Sequence, residues 1–565
     1  MALNVVNQLG ELNPQVFREI KGRLKPRNVL ITIAISLVSQ LILLMSFASE
    51  LPMASWDNSQ QYSRYCTSSR QYSSRLCASD GLGGFEVNWQ LWWQDVFIWL
   101  SLIGIFALLV VGTYMLLSDL SKEESRGTLN FLRLTPQSSP SILGGKLLGV
   151  PILLYIAVGL AFPLQLWSSV AGGVPIYQML CFYLVIASSC LCFYSMAVLF
   201  GLVGRRLSSF QPWLGSGAVL IFLMIMTAIL HHHSYNHYIT DWLMLFHPGI
   251  LLPHLVDANS LDPASMYRKG DYLEKLWWFY LPVGSGVGTL ASLTVLNNAL
   301  WSYWAWQGLK RCFHNPSANV FSKRQSYLLT ACFELIIIGF ALNPNLVYDK
   351  RLFENVQILV VFNLILFLGL IAALSPHRQA LQDWARYRHQ QHNSHNRSLL
   401  KDLLWGEKSP ALVAIALNLA IASVILLTWI LFWPSNEYKM QALWALLLNI
   451  SFILVCATVA QLMLLMKAQK RSVWAATTVC GLIILPPIMF GFLSLKPHRI
   501  PDVWLFSAFH WVGVEHAIGA SVGFALIAQS LTLAVLNLQL TRRLQKAGES
   551  ATKALSGSGE LRIEN

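Results

Sequence analysis

Long apolar stretches alternate with short polar segments along this chain from residue 29 to residue 540. A helix needs about 20 mostly apolar residues to cross the ~30 Å hydrocarbon core of a bilayer, and twelve stretches are long enough. The predicted spans are residues 29–47, 96–117, 147–167, 177–202, 213–230, 279–301, 326–342, 356–374, 411–432, 441–466, 473–495 and 517–540. The pattern therefore predicts an all-α polytopic membrane protein with about twelve transmembrane helices in a lipid bilayer.

Composition and charge agree with this fold class. Hydrophobic residues make up 55% of the chain and charged residues 12%. Of the 40 Lys and Arg residues, 29 lie in the segments predicted on the same side of the membrane as the N-terminus. Basic residues are retained in the cytoplasm, and an even number of spans puts both termini on one side, so both termini are predicted to be cytoplasmic. This retention of basic residues accounts for the net charge of +13, and no basic patch interleaved with aromatic residues indicates a nucleic-acid partner. We expect a multi-pass protein of the plasma membrane, which is the inner membrane in a Gram-negative cell.

The apolar pattern starts again after residue 304, which suggests two parallel halves of six spans each. The largest cytoplasmic loop of each half follows its second span, and the two loops share spaced residues. Arg126, Leu129 and Leu132 in the first match Arg397, Leu400 and Leu403 in the second, each followed by Ser-Pro. The predicted organisation is an N-terminal helix in 1–28, a first half in 29–304, a linker in 305–325, a divergent second half in 326–540 and a disordered cytoplasmic tail in 541–565.

Two segments outside the spans have strong helix signals. The first has Asn13 as a candidate cap, Pro14 as first helical residue and an apolar stripe of Val16, Ile20 and Leu24, with basic residues elsewhere. This pattern predicts an amphipathic helix in the headgroup region.

The second segment lies between the second and third spans. Ser121 and Glu124 have capping-box spacing, and a helix from there would contain Gly127 and end at Thr135, before Pro136. Ser139 is then a candidate cap and Pro140 the first residue of a helix that can run through Lys146 into the third span. A short helix, a rigid corner and a helix joined to a span suit a docking element that transmits motion.

These residues resemble the ABC transporter permeases of the type 2 exporter superfamily. The matching residues are Glu123, Glu124, Arg126, Gly127, Thr128, Leu129, Leu132, Thr135 and Pro136, followed by Gly145-Lys146-Leu147, with Asn13, Pro14, Arg18 and Glu19 matching the elbow helix of that family. The resemblance implies a transport subunit whose helix at 122–135 docks on a separate ABC ATPase. It implies alternation between inward-open and outward-open forms, either as a fused-pair monomer or as a homodimer. Arg397, Leu400 and Leu403 would form a second, divergent coupling loop.

The chain contains no G-x-x-x-x-G-K-[ST] motif, so we expect it to bind no nucleotide or other cofactor and to be no enzyme, with ATP used by the partner subunit. The transported substrate is not identified by any motif. An ion-gradient-driven secondary transporter and a non-transporting membrane scaffold remain the alternatives.

Four further features leave alternatives open. Glu334 inside the seventh span is either an intramembrane polar site or an interfacial residue satisfied by a neighbouring Ser or Asn. Cys66 and Cys77 in the first outward loop are candidates for a disulfide. His233 and His237 have helical metal-ligand spacing, although a loop histidine cluster also explains them, and we assign no metal. The apolar middle of loop 231–278 either dips into the bundle or lies flat on the membrane.

Overall fold

The protein is an almost entirely helical chain in the part that the structure, a computed structural model, describes. That part comprises residues 13–52, 64–66, 70–71, 74–75, 85–204, 209–231, 239–255, 276–342, 349–390, 399–434 and 437–560. Its one hairpin pairs β1 (Arg70–Gln71) with β2 (Ser74–Arg75) in antiparallel register. The chain forms two compact units: unit 1 contains Met1–Trp277 and Leu281–Pro316, and unit 2 contains Trp278–Tyr280 and Ser317–Asn565.

Unit 1 begins with a short helix and ends with a long one. Its helices are α1 (Pro14–Arg23), α2 (Pro26–Ser49), α3 (Trp89–Phe106), α4 (Gly112–Ser125), α5 (Thr128–Leu134), α6 (Ser139–Gly149), α7 (Ile152–Ala171), α8 (Ile176–Val203), α9 (Gln211–His231), α10 (Asp241–Met244), α11 (Leu252–Leu255) and α12 (Val287–His314). A five-residue π-helical turn, Ala107–Val111, joins α3 to α4.

Unit 2 has a similar order of long and short helices. They are α13 (Lys323–Ala341), α14 (Asp349–Leu374), α15 (Arg378–Gln390), α16 (Leu399–Trp405), α17 (Leu412–Leu431), α18 (Lys439–Leu464), α19 (Arg471–Phe492), α20 (Pro501–Trp504), α21 (His510–Val514) and α22 (Gly519–Glu560). In each unit a seven-residue helix precedes the third long apolar helix, and two or more short helical turns precede the last helix.

Eleven helices in the described residues are long and apolar enough to cross a membrane, counting α3, the π turn and α4 as one. They correspond to the predicted spans 1–5 and 7–12. The predicted sixth span, 279–301, corresponds to α12, which begins at Val287 and is 28 residues long but contains no stretch as apolar as those of the eleven helices. Its buried Asn297 and Asn298 explain the difference, since they face protein: the Nε1–H groups of Trp242 and Trp301 donate to Asn297 Oδ1 at 3.1 and 3.0 Å.

The π turn between α3 and α4 is filled by a side chain from α8. The hydroxyl of Tyr194 donates to the carbonyl oxygen of Leu108 at 2.7 Å, inside the turn. Gly112 follows the turn, and a Cβ there would overlap the Tyr194 ring. The missing side chain and the widened backbone turn together let a buried tyrosine pack against the middle of the longest helix of unit 1.

Helix α1 lies in a groove of α6 that two glycines create. A Cβ on Gly145 would lie 2.7 Å from the Cβ of Gln15, and one on Gly149 would lie 2.5 Å from the Cβ of Glu19. Glycines four residues apart share one face of a helix, so the α1 backbone can approach closely along that face. The sequence predicts α1 as a helix in the headgroup region, whereas here its stripe residues Val16 and Ile20 are buried against protein.

The C-terminal helix is longer than predicted. Helix α22 continues to Glu560, whereas the sequence predicts that the last span ends at residue 540 and that a disordered tail follows. Helix α15 packs along α22 and buries Leu381 and Ala385. Helix α22 therefore has a packing partner that is distant in sequence, which the polar composition of residues 541–565 does not predict.

The glycine groove generates a prediction about stability. Because a methyl group at position 149 meets the Glu19 side chain, Gly149→Ala should lower the free energy of unfolding by about 1–3 kcal/mol through overpacking. Gly144→Ala is the matched control, since a Cβ there meets no atom within 4 Å and the gain in helix propensity is up to about 1 kcal/mol. Thermal unfolding in detergent should show a lower Tm for the first variant only, and equal Tm values would contradict the close α1–α6 approach.

Candidate functional site

A buried lysine holds three helices of unit 1 together. Lys146 on α6 has a side chain that is 1% exposed, and its Nζ lies 2.7 Å from Asp119 Oδ2 and 2.7 Å from Glu123 Oε2, both on α4. Glu19 Oε1 on α1 is 3.6 Å away. The ammonium group therefore contacts carboxylates from two other helices at once.

Two arginines of α1 complete the arrangement, which we call the Lys146 cluster. Arg18 Nη2 lies 2.8 Å from Glu123 Oε1, and Arg23 Nη2 bonds to Asp119 and lies 3.3 Å from Glu19 Oε2. The cluster consists of Arg18, Glu19, Arg23, Asp119, Glu123 and Lys146, three cations and three carboxylates. Because the charges balance, the buried ions satisfy one another, which burial requires.

The electrostatics of the cluster keep Lys146 charged. Burial lowers the pKa of Lys146, but the nearby carboxylates of Asp119, Glu123 and Glu19 raise it by more, so the pKa lies above its ordinary value of 10.5. Oxygens of the same three carboxylates lie close enough together to hold a metal ion. The ammonium group already supplies the positive charge against all three, so the cluster as folded is a salt-bridge network.

The helix after the second span begins later than predicted. The sequence predicts a start at the Ser121–Glu124 capping box with Gly127 inside the helix, but Ser121 lies within α4, which continues to Ser125. Burial of Leu116, Leu117 and Leu120 in the core keeps α4 helical past the local cap signal. Gly127 then adopts a φ of +74° and separates α4 from α5, with no atom within 4 Å of where its Cβ would be. Its role is the left-handed backbone conformation rather than a close approach.

Helix α5 has one buried and one exposed apolar face. Leu129 and Leu132 pack in the core of unit 1 with Leu143 and Phe313, whereas Phe131 and Leu134 are 71% and 85% exposed. The Thr128 hydroxyl donates to the carbonyl oxygen of Glu123 at 3.2 Å, across the break at Gly127. A seven-residue helix that is anchored on one side and exposes two large apolar side chains on the other has the form of a docking element.

The corner after α5 is as the sequence predicts. Thr135 is extended and ends the helix, its hydroxyl donates to the Leu132 carbonyl oxygen at 2.7 Å, and Pro136 follows. The cap of α6 is Ser138 and not the predicted Ser139, because the extended backbone ends at Ser138; α6 therefore begins at Ser139 with Pro140 in its first turn. Only residues 150 and 151 separate α6 from the third apolar helix, α7. The corner is therefore joined to a candidate span with a single break.

The predicted elbow residues are placed at the same corner. Asn13 Oδ1 accepts from the backbone N–H groups of Gln15 and Val16 at 3.0 and 3.3 Å, which confirms the predicted cap. Its Nδ2 donates to the Ser141 carbonyl oxygen of α6 at 2.8 Å. Of the other predicted residues, Glu124 is partly buried 4.0 Å from Arg133, while Arg126 and Thr128 are exposed.

Sequence reasoning did not identify Asp119 as a site residue and gave Lys146 no electrostatic role. The available signal was the spacing: Asp119 and Glu123 are four residues apart and therefore lie on one helix face. Two carboxylates at the end of an apolar helix need a buried or solvated cation, and the lysine after Gly145 was a candidate. Only tertiary contact shows that this lysine is the partner.

Unit 2 has a seven-residue helix, α16, held by different chemistry. Lys323 is buried at the start of α13, and its Nζ donates to the carbonyl oxygens of Leu403 and Pro410 at 2.6 and 3.1 Å and to Ser409 Oγ at 2.6 Å. The hydroxyl of Tyr327 donates to the carbonyl oxygen of Leu404 at 2.8 Å.

The outer side of α16 carries exposed apolar residues, as α5 does. Leu399, Leu400 and Trp405 are each more than half exposed, and Leu403 is partly buried. Asp402 is bound by Arg388 of α15 at 2.6 Å. Arg397, the first residue predicted for this loop, lies outside the described residues.

The remaining sequence candidates have separate locations. Glu334 is fully buried on α13. Cys66 is disulfide-bonded, and Cys77 lies outside the described residues, as do His233 and His237. In loop 231–278, residues 248–251 pack inside unit 1 against α3, α8 and α12, and Ile250 and Leu251 are fully buried.

Comparisons with family models, with curated proteins and with solved structures give no match to this chain. The functional argument therefore depends on the contacts described above.

The Lys146 cluster generates a prediction about charge balance. Lys146→Met leaves three buried carboxylates facing two cations, and loss of one partner from a buried ionic site costs about 3–5 kcal/mol of unfolding free energy. The double variant Lys146→Met/Asp119→Asn restores the balance, so its Tm in detergent should lie above that of the single variant. A double variant less stable than the single one would contradict the network.

The same comparison has a defined pH dependence. A raised pKa means that Lys146 contributes its full stabilisation below the unfolded-state value near 10.5 and loses it as pH rises through the higher folded-state value. The Tm difference between the wild type and Lys146→Met should therefore stay constant from pH 7 to pH 9 and decrease only above about pH 10.5.

The backbone break generates a separate prediction. Gly127→Val forces a β-branched residue into the left-handed region at a cost of about 1–2 kcal/mol, whereas Gly127→Asn is compatible with that conformation. Amide hydrogen exchange in residues 128–134 should be faster in the valine variant and unchanged in the asparagine variant. Equal exchange in both would show that the φ of residue 127 does not control α5.

Proposed function

We propose that this chain is the membrane-spanning subunit of an ATP-driven exporter of the ABC type 2 kind, with a separate protein as its ATPase. The observation that carries the proposal is helix α5. It exposes Phe131 and Leu134, is anchored by Leu129 and Leu132, and follows α4, which an ionic cluster joins to α1 and α6. A short loop between two spans requires none of these features.

The contacts define a route by which a push on α5 would reach the spans. Thr128 bonds to the end of α4, and Glu123 at that end lies against Lys146 of α6. Helix α6 leads into α7, and α1, which precedes α2, is bound to both α4 and α6 through Arg18 and Glu19. A rigid displacement of α5 would therefore act on the second and third spans and on the entry to the first.

The partner that this surface fits is a protein with an apolar groove. Phe131 and Leu134 are three residues apart and so lie on one face of α5, as helix-in-groove recognition requires. The exposed basic residues Lys122 and Arg126 lie just before α5 and suit an acidic rim around the groove. ATP binding and hydrolysis would belong to that partner.

We further propose that the two units are repeats, so that one chain is a fused pair with two docking helices, α5 and α16. Both helices have seven residues, and both expose large apolar side chains. A second similarity lies near the last helix of each unit, where a fully buried histidine, His247 or His510, begins or directly precedes a short helical turn. With six spans in each unit, both termini and both docking helices would face the cytoplasm at the plasma membrane, with the substrate unidentified.

A second candidate function is an ion-gradient-driven secondary transporter, and one observation favours it. Glu334 is fully buried in a candidate span, and neither of its carboxylate oxygens has a hydrogen-bond partner among the described residues. Transport that survives vanadate but stops with an uncoupler would favour this function over the ATP-driven exporter.

The proposed docking surface is tested by changing its two exposed apolar side chains. Phe131→Asp/Leu134→Asp should abolish co-purification of a nucleotide-binding subunit from native membranes, because it places two charges where an apolar groove must close. Neither side chain contributes to the core, so the free energy of unfolding of the purified chain should change by less than about 0.5 kcal/mol, and its Tm should stay close to that of the wild type.

The control for this test is Ser138→Asp, which adds a negative charge at the exposed residue that caps α6. Aspartate is a favourable cap, so this variant should fold and retain the partner. Two outcomes would overturn the proposed function. In the first, the ATPase subunit co-purifies with Phe131→Asp/Leu134→Asp as well as with Ser138→Asp. In the second, no ATPase subunit co-purifies even with the wild type.

A further inference from the structure

A buried polar seam runs along one face of α13 in unit 2. Ser326, Thr330 and Glu334 are four residues apart in succession, share that face and are all fully buried. The first two are paired through α17: Thr330 Oγ1 donates to Asn418 Oδ1 at 2.8 Å, and Asn418 Nδ2 donates to Ser326 Oγ at 3.0 Å. The seam is thus satisfied over its first two positions.

Glu334, the third position, is different. Neither Oε1 nor Oε2 has a partner in hydrogen-bond geometry among the described residues. The polar side chain that approaches it is Asn363 of α14. Asn363 Nδ2 donates to the Leu359 carbonyl oxygen at 3.2 Å, and its Oδ1 has no partner in the described part of the chain. The two carboxyl oxygens of Glu334 and the amide oxygen of Asn363 are therefore buried acceptors without a donor among the described residues.

The helices packed against α13 supply no cation near this position. Helix α17 contains no ionisable side chain, and the ionisable residues of α14 are confined to its first six residues, 349–354, more than two turns before Asn363. On α13 itself, Lys323, Arg324 and Tyr327 lie at the opposite end, and Cys332 is partly exposed. The ionisable residues of α16, Lys401 and Asp402, belong to the Lys323 end, and Tyr280 lies beyond Glu334 near Leu342.

An ionised carboxylate in these surroundings is strongly disfavoured, since an isolated buried charge costs far more than a neutral group of the same shape. A proton removes that cost and converts one acceptor into a donor, which Asn363 Oδ1 can then accept. A metal cation fits less well, because sodium or calcium needs about six oxygen ligands, whereas Glu334 and Asn363 together offer three unpartnered oxygens.

We infer that Glu334 binds a proton in the interior of unit 2 and donates it as a hydrogen bond to Asn363, so that α13 and α14 pack together around a neutral carboxyl group. The proton comes from solvent, and its release would leave a carboxylate that can only be stabilised by water or by separation of the two helices. The site is therefore a proton-controlled contact between two candidate spans. It does not depend on the proposed ATPase, and it holds for the purified chain alone.

The experiment is infrared difference spectroscopy on the purified full-length protein at pH 7, comparing the wild type with Glu334→Gln. Glutamine has the shape of the protonated side chain and should preserve the fold, which an unchanged Tm would verify. The wild type should show the carbonyl stretch of one additional protonated carboxyl group per chain, and this band should shift in heavy water. Carboxylate bands in its place would overturn the inference.

Two controls define the result. Glu437→Gln, at an exposed glutamate of unit 2, should remove carboxylate bands instead of a carboxyl band. Adding sodium ions should leave the Glu334 band unchanged, and its loss in sodium would show that the site holds a metal cation instead of a proton.

Asn363→Leu tests the hydrogen bond. Without an acceptor for its O–H group, the carboxyl band should remain and move to higher wavenumber. An unchanged wavenumber would show that Asn363 does not accept this hydrogen bond and would overturn the proposed contact.

Discussion

The contact between the Lys146 ammonium and its carboxylates is the constraint on which the proposed docking region depends. A buried cation must be matched by buried anions, and here those anions come from α1 and α4, which are separated from α6 in sequence. Because Asp119 and Glu123 must reach Lys146, α4 must stay helical to its end at Ser125. Because Glu19 must reach the same lysine, α1 must cross α6 at this position. The glycines at 145 and 149 then allow the approach that the charges require. Helix α5 takes its position from these neighbours, since α4 and α6 flank it on both sides.

The elements with local signals could be predicted from the sequence, whereas the contacts that join them could not. Hydrophobic periodicity predicts the apolar helices, Asn13 and Pro14 predict the start of α1, and Thr135 with Pro136 predicts the corner, because each depends on residues near in sequence. The Ser121 capping box was wrong because burial of three leucines outweighs a local cap worth about 1 kcal/mol. The Asp119–Lys146 pair and the α15–α22 packing connect residues distant in sequence, for which spacing carries no information.

A buried lysine lies close in the chain or in space to the seven-residue helix of each unit, but the two lysines are bound by different chemistry. Lys146 is matched by charges, while Lys323 is bound by two carbonyl oxygens and a hydroxyl group. Carbonyl oxygens belong to the backbone, so the Lys323 site places little demand on the side chains of α16 itself. This difference gives a physical reason why the sequence around residues 399–410 departs from that around 128–140 while the length of the helix is the same.

The position of α1 has a consequence for how the chain is made. Glu19 leaves the ribosome early, but its partner Lys146 and the glycine groove follow about 130 residues later, a delay on the order of ten seconds at ordinary rates of synthesis. During that interval the first two apolar helices are already synthesised, while α1 has no protein surface to cover Val16 and Ile20. The bilayer surface is the natural temporary support for such a helix. The contact between α1 and α6 can therefore form only after residue 149 has been synthesised, which makes it a late step in the folding of unit 1.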